Sequence, residues 1–85
     1  MGDSLDEMVQ RLAKYLHRVM PMVDTEDIAQ EMYLWAVVHW TKVDAFRAEG
    51  ADGEEKLRKA LRRAGSKFAQ AERRRHWELS RLRDE

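Results

Sequence analysis

The chain has 85 residues, no cysteine, and 16 basic against 16 acidic side chains, for a formal net charge of zero. That length allows one small domain, 1–85, burying about 60–65% of the surface its unfolded form exposes. The missing cysteines exclude disulfides and thiolate metal sites and fit a reducing, cytoplasmic compartment.

The first residues, MGDSLDEM, are acidic and polar, unlike a secretory signal. Asp6 stands where a myristoylation motif needs Ser or Thr. No apolar run further on approaches the roughly 20 residues of a membrane span. No strand-like alternation of any length occurs, so the chain reads as all-α: a compact bundle of three main helices with a short extra helical turn.

Helix one is expected over 4–20. Ser4 and Glu7 form an S-x-x-E pattern that caps free amides of a first turn. Leu5, Met8, Val9, Leu12, Leu16 and Val19 recur at three- and four-residue steps and make one apolar stripe. Pro21, the only proline, ends it, because it has no amide hydrogen and clashes with the preceding turn.

Helix two is expected over 25–40, with Asp24 or Thr25 as cap and Glu26 and Asp27 against the positive end of its dipole. Ile28, Met32, Trp35 and His39 make one stripe, while Tyr33, Leu34, Val37 and Val38 fall on other sides. A helix apolar on most faces is either central or presents a second face to a partner. So few residues do not readily surround it, which points to the partner face. His39 on the apolar stripe reads as a hydrogen-bonded core histidine, and the three histidines are too scattered for a metal site.

Residues Asp44 to Ala48 read as a single helical turn and Glu49–Gly53 as a loop. Helix three is expected over 54–82, with Leu57, Ala60, Leu61, Ala64, Phe68 and Ala71 inward. Gly65, inside it, permits close approach of another helix or marks a bend, at roughly 1 kcal/mol relative to alanine. After Ala71 the stripe fades into ERRRHWELSRLRDE, a basic tail.

The zero net charge hides an asymmetry along these elements. Residues 1–55 hold 12 acidic and 5 basic side chains, net −7, and residues 56–85 hold 4 and 11, net +7. Such halves suit different partners, or attract each other.

The stretch DIAQEMYLW, Asp27 to Trp35, resembles the D-[IL]-x-Q-E-x-[FY]-[IL] signature of region 2 in bacterial RNA polymerase sigma factors, and Val23-Asp24-Thr25-Glu26 is similar to the lead-in of the extracytoplasmic-function group. Downstream, LRKALRRAGSKFAQAERRR, Leu57 to Arg75, looks like the family's next helix, with Ala64 on its alanine and Arg73, Arg74 and Arg75 on its arginines. Ser66 departs from the family's asparagine, and the tryptophan that opens that helix is absent. The likeness covers about residues 5–77. It does not extend to region 4, so the chain is expected to be either one domain of a longer protein or a stand-alone sigma-like protein of the kind a phage or mobile element encodes.

The resemblance implies docking on the coiled coil of the polymerase β′ clamp through Asp27, Gln30, Glu31 and Tyr33, with Leu34 and Val37 as apolar neighbours. Asp27, Gln30, Glu31 and Leu34 follow i, i+3, i+4, i+7 spacing and share one helix face. Carboxylates and an amide there can meet an arginine-rich helix through charge-assisted hydrogen bonds. The competing reading is that the two carboxylates only dress a first turn.

Arg62, Arg63, Lys67, Arg73, Arg74 and Arg75 make a basic stripe suited to phosphates of DNA, and Trp77 at its end can stack on an unpaired base. In the family this region helps open promoter DNA; the competing readings are a solvated helix face and a packed or partly exposed Trp77. There is no nucleophile–base pair, glycine-rich phosphate loop or carboxylate pair in a cleft, so neither catalysis nor a cofactor is expected. The rival to transcription is a non-enzymatic assembly protein, a homo-oligomer joined through helix two.

Overall fold

A computed structural model describes residues 4–83, so the ends of the expected 1–85 domain lie outside the described residues. The described chain is all helical: α1 (Leu5–Val19), α2 (Thr25–Val38), α3 (Trp40–Ala48) and α4 (Ala51–Arg83). None of these helices is long and apolar enough to cross a membrane.

α1 begins as its local sequence requires, with the Glu7 amide donating to Ser4 Oγ at 3.2 Å. Its inward stripe is Met8, Val9, Leu12, Ala13 and Leu16. Val19, expected inward, is exposed, because the chain turns at Met20 before α2 can cover it. Met20 and Val23 are buried in that turn on either side of the exposed Pro21. The His17 Nδ1–H donates to the Val23 carbonyl at 2.7 Å and ties the turn to α1. The Glu26 amide donates to Asp24 Oδ1 at 2.8 Å, which caps α2.

α2 packs on both α1 and α4 through Ile28, Ala29, Met32 and Ala36. It ends two residues earlier than expected. His39, at φ −108° and ψ 34°, leaves helical geometry, and the chain restarts as α3. The expected single turn at Asp44–Ala48 is therefore a nine-residue helix, anchored by the fully buried Val43. Trp40, exposed at 50%, opens α3 and does not close α2.

The expected loop over Glu49–Gly53 is also shorter. Gly50 takes φ +77°, the left-handed geometry that ends a helix in one residue, and α4 starts at Ala51. Gly53 is buried against α3: a Cβ there would stand 1.5 Å from the Phe46 carbonyl oxygen. Gly65 serves the close approach of helices and not a bend. A Cβ on it would lie 2.4 Å from Met32 Cε and 2.9 Å from Leu16 Cδ1, where α1, α2 and α4 meet.

Val9, Ile28, Met32, Val43, Leu57 and Leu61 are the largest fully buried side chains, each contributing about 1.5–3 kcal/mol of apolar burial. Ala69 is the last buried residue of α4 among the described side chains; Ala60, Ala64 and Phe68 are half-buried and Ala71 is exposed, against expectation, because the neighbouring helices no longer cover that side. With 33 residues α4 is about 50 Å long, so it outruns the bundle and accounts for a long axis of 54 Å against 22 and 16 Å. Its last turns form an arm beyond the core.

Candidate functional site

Two surfaces carry the residues singled out in the sequence. The first is the outward face of α2. Its N-terminal turn points Asp27 and Gln30 into solvent, with Glu31 half-buried beside them. One and two turns further on, Leu34, Val37 and Val38 are 57%, 69% and 68% exposed. The opposite side of the helix is the core stripe, so these six residues lie on the side turned away from α1 and α4. Side chains of this size so exposed on adjacent turns form a continuous apolar patch. The patch borders a groove of about 490 Å³ between α2 and α4, lined by Glu31, Leu34, Val38, Lys67 and Phe68 among others.

Tyr33 is not part of that face. It is half-buried on the α1 side, where its hydroxyl donates to Asp6 Oδ1 and accepts from Gln10 Nε2 at 3.5 Å. Its position six residues after Asp27 rotates it about 120° from that residue, onto the flank that α1 covers. Trp35 takes the other flank and stacks on His39, ring centroids 4.5 Å apart. His39 Nδ1 donates back to the Trp35 carbonyl at 3.0 Å, so the histidine is satisfied within the fold.

The second surface is α4. Of the cations singled out, all but Arg75 fall on one half of its circumference, and the packing divides that half among neighbouring grooves. Arg62 and Arg63 join Arg58 and Lys59 in a groove of about 500 Å³ against α1, with Leu12, the half-exposed Tyr15 and Glu55 on its other walls. Glu55 accepts from Arg58 at 2.8 Å, leaving the groove strongly positive. Lys67 joins Arg62 and Arg63 in a second groove of about 710 Å³, with Lys42, Phe46 and Gln70 on its walls, and on its α2 side lies across from Leu34 and Val38. Arg73, Arg74 and Trp77 lie together with Gln70 on the arm, where Trp77 is 61% exposed and packs against no core residue. Arg75 stands apart: it pairs with Glu72 at 3.1 Å, and two residues past Arg73 it is rotated about 200° to the other side.

Tyr15, Arg58 and Lys59 thus join the site without having stood out in the sequence. Arg58 with Arg62 and Lys59 with Arg63 repeat at i, i+4, a double cationic ridge visible in the sequence. Tyr15 shows no such signal, since its place opposite that ridge depends on how α1 crosses α4. Among the described residues no group of three or more His, Asp or Glu side chains comes together to hold a metal ion, and no buried side-chain nitrogen or oxygen lacks a hydrogen-bond partner.

No protein-family model, curated protein or solved structure matches the chain.

Proposed function

We propose that this chain is a sigma region 2-like transcription protein that docks on the RNA polymerase β′ clamp through α2 and contacts DNA through α4, working in the cytoplasm without catalysing a reaction. The observation that carries the reading is the shared outward face of Asp27, Gln30, Glu31 and Leu34, extended by Val37 and Val38. Those residues have no task in the core. An arginine-rich partner helix would meet the carboxylates and the amide in charge-assisted hydrogen bonds and cover the aliphatic patch. Tyr33, tied to α1, would stand outside the contact and serve the fold.

For DNA, the α1–α4 groove supports a phosphate-tracking contact by Arg58, Lys59, Arg62 and Arg63, with Tyr15 as a stacking surface. Arg73, Arg74 and Trp77 would extend it along the arm.

Retention on an immobilised β′ clamp fragment tests the docking. Wild type is expected to bind, and Gln30→Ala with Glu31→Ala to bind about tenfold more weakly or worse. Both substitutions lie on exposed or half-buried sites, so the fold should be unaffected. Absence of wild-type retention overturns the reading.

A further inference from the structure

The apolar patch on α2 and the arm of α4 are complementary, yet one molecule cannot join them. α4 is a continuous helix from Ala51 to Arg83. Trp77 lies eight residues past Ala69, the last buried residue among the described side chains, so the rigid rise of the helix carries it about 12 Å beyond the core. The α2 face offers Glu31 followed by Leu34 and Val38. The arm offers Arg74 followed by Trp77 and Arg81. Both series have steps of three and four residues, so both run along a single helix face. One begins with a carboxylate and the other with a guanidinium; each next presents an exposed apolar side chain, Leu34 and Trp77, and the series end on Val38 and Arg81. The same opposition holds for the chain as a whole, net −7 over residues 1–55 and net +7 over residues 56–85.

We propose that two copies of this chain pair reciprocally, each laying its α4 arm along the outward face of the other's α2. A two-fold axis makes both contacts at once, since every copy owns one arm and one face. A parallel crossing in register brings Arg74 to Glu31 and Trp77 to Leu34. The inference rests on the same α2 face as the proposed docking and adds a second occupant: the paired form hides that face, and only the single molecule offers it to another protein. Each contact involves a few turns of helix, at the small end of protein interfaces, so the pair is weak and reversible. Its ionic part is screened by salt.

Sedimentation velocity over a concentration series, at low and at high salt, tests the pairing. Wild type is expected to shift from monomer to dimer as concentration rises, with the midpoint moving upward in salt. Glu31→Arg, Arg74→Glu and Trp77→Ala should each weaken pairing tenfold or more, while the combined Glu31→Arg/Arg74→Glu chain recovers it. Far-UV circular dichroism melts of each variant separate lost pairing from lost folding; an unfolded charge variant is replaced by Glu31→Gln or Arg74→Gln, for which a smaller loss in the same direction is expected. A wild type that stays monomeric at every concentration overturns the proposal. So does a dimer that tolerates all three single changes, or a double charge swap that fails to recover. Clamp retention measured on dilute, monomeric protein keeps the two readings apart: a chain that binds the clamp yet stays monomeric at every concentration sinks the pairing alone, and a dimer whose dissociated form does not bind sinks the docking alone.

Discussion

Gly53 is the position where the packing allows least. Replacing it with alanine puts a methyl group 1.5 Å from the Phe46 carbonyl oxygen, 2.5 Å from its carbon and 2.8 Å from Glu49 Cβ. Ordinary contact needs about 3.5 Å, so the carbonyl would retreat by about 2 Å. It is backbone and has no rotamer to adopt. The same oxygen accepts from the Glu49 amide at 3.1 Å in the α3–α4 turn, so the retreat strains that hydrogen bond as well. Overpacking costs about 1–3 kcal/mol and the weakened hydrogen bond about 1 kcal/mol. Better helix propensity returns about 1 kcal/mol. The net is a loss of about 1–3 kcal/mol, which in a domain this size lowers Tm by roughly 5–20 °C. Gly65→Ala is the internal control. Its new methyl meets Met32 Cε and Leu16 Cδ1, the far ends of side chains that can swing aside. It should stay within about 1 kcal/mol of wild type after the same propensity gain. Urea and thermal melts followed by circular dichroism give both values. If Gly53→Ala melts at or above the wild-type temperature, the close seat of α4 on α3 is wrong.

Two further outcomes follow from the site geometry. Tyr33→Phe removes the hydroxyl that joins α2 to Asp6 and Gln10 on α1, so it should cost about 0.5–1.5 kcal/mol in a urea melt while clamp retention of the folded protein stays at the wild-type level; a large loss of retention with unchanged stability would put Tyr33 at the contact after all. Replacing Arg58, Lys59, Arg62 and Arg63 together with alanine should weaken single-stranded DNA binding and flatten its dependence on log salt by roughly 2–3, since each phosphate contact contributes about 0.7 to that slope, whereas Arg75→Ala should leave both nearly unchanged; equal effects from the two variants would remove the α1–α4 groove from the DNA contact.

The sequence by itself determined the features that depend on neighbours a few residues away. Ser4 with Glu7, and Asp24 with Glu26, start helices because a side-chain oxygen reaches a free amide within the same turn. Pro21 separates α1 from α2, and the stripe from Met8 to Leu16 faces inward because α1 has only one apolar side. The grouping of Asp27, Gln30, Glu31 and Leu34 on one face was legible for the same reason, as 3.6 residues per turn sets it whatever surrounds the helix. Only the tertiary structure decided which way α2 turns. With apolar residues on most sides, its own pattern names no inward direction; α1 and α4 select Ile28, Ala29, Met32 and Ala36, give Tyr33 to α1, and leave Leu34, Val37 and Val38 outside. The same holds for α4, whose arginines other than Arg75 share one half of its circumference: α1 makes a groove with Arg58 and Arg62, while α2 and α3 make another with Arg62, Arg63 and Lys67. The break at His39 and the early start of α4 follow similarly. Burying Val43, and seating Gly53 on Phe46, outweighs the local preference that would have continued α2 and lengthened the loop.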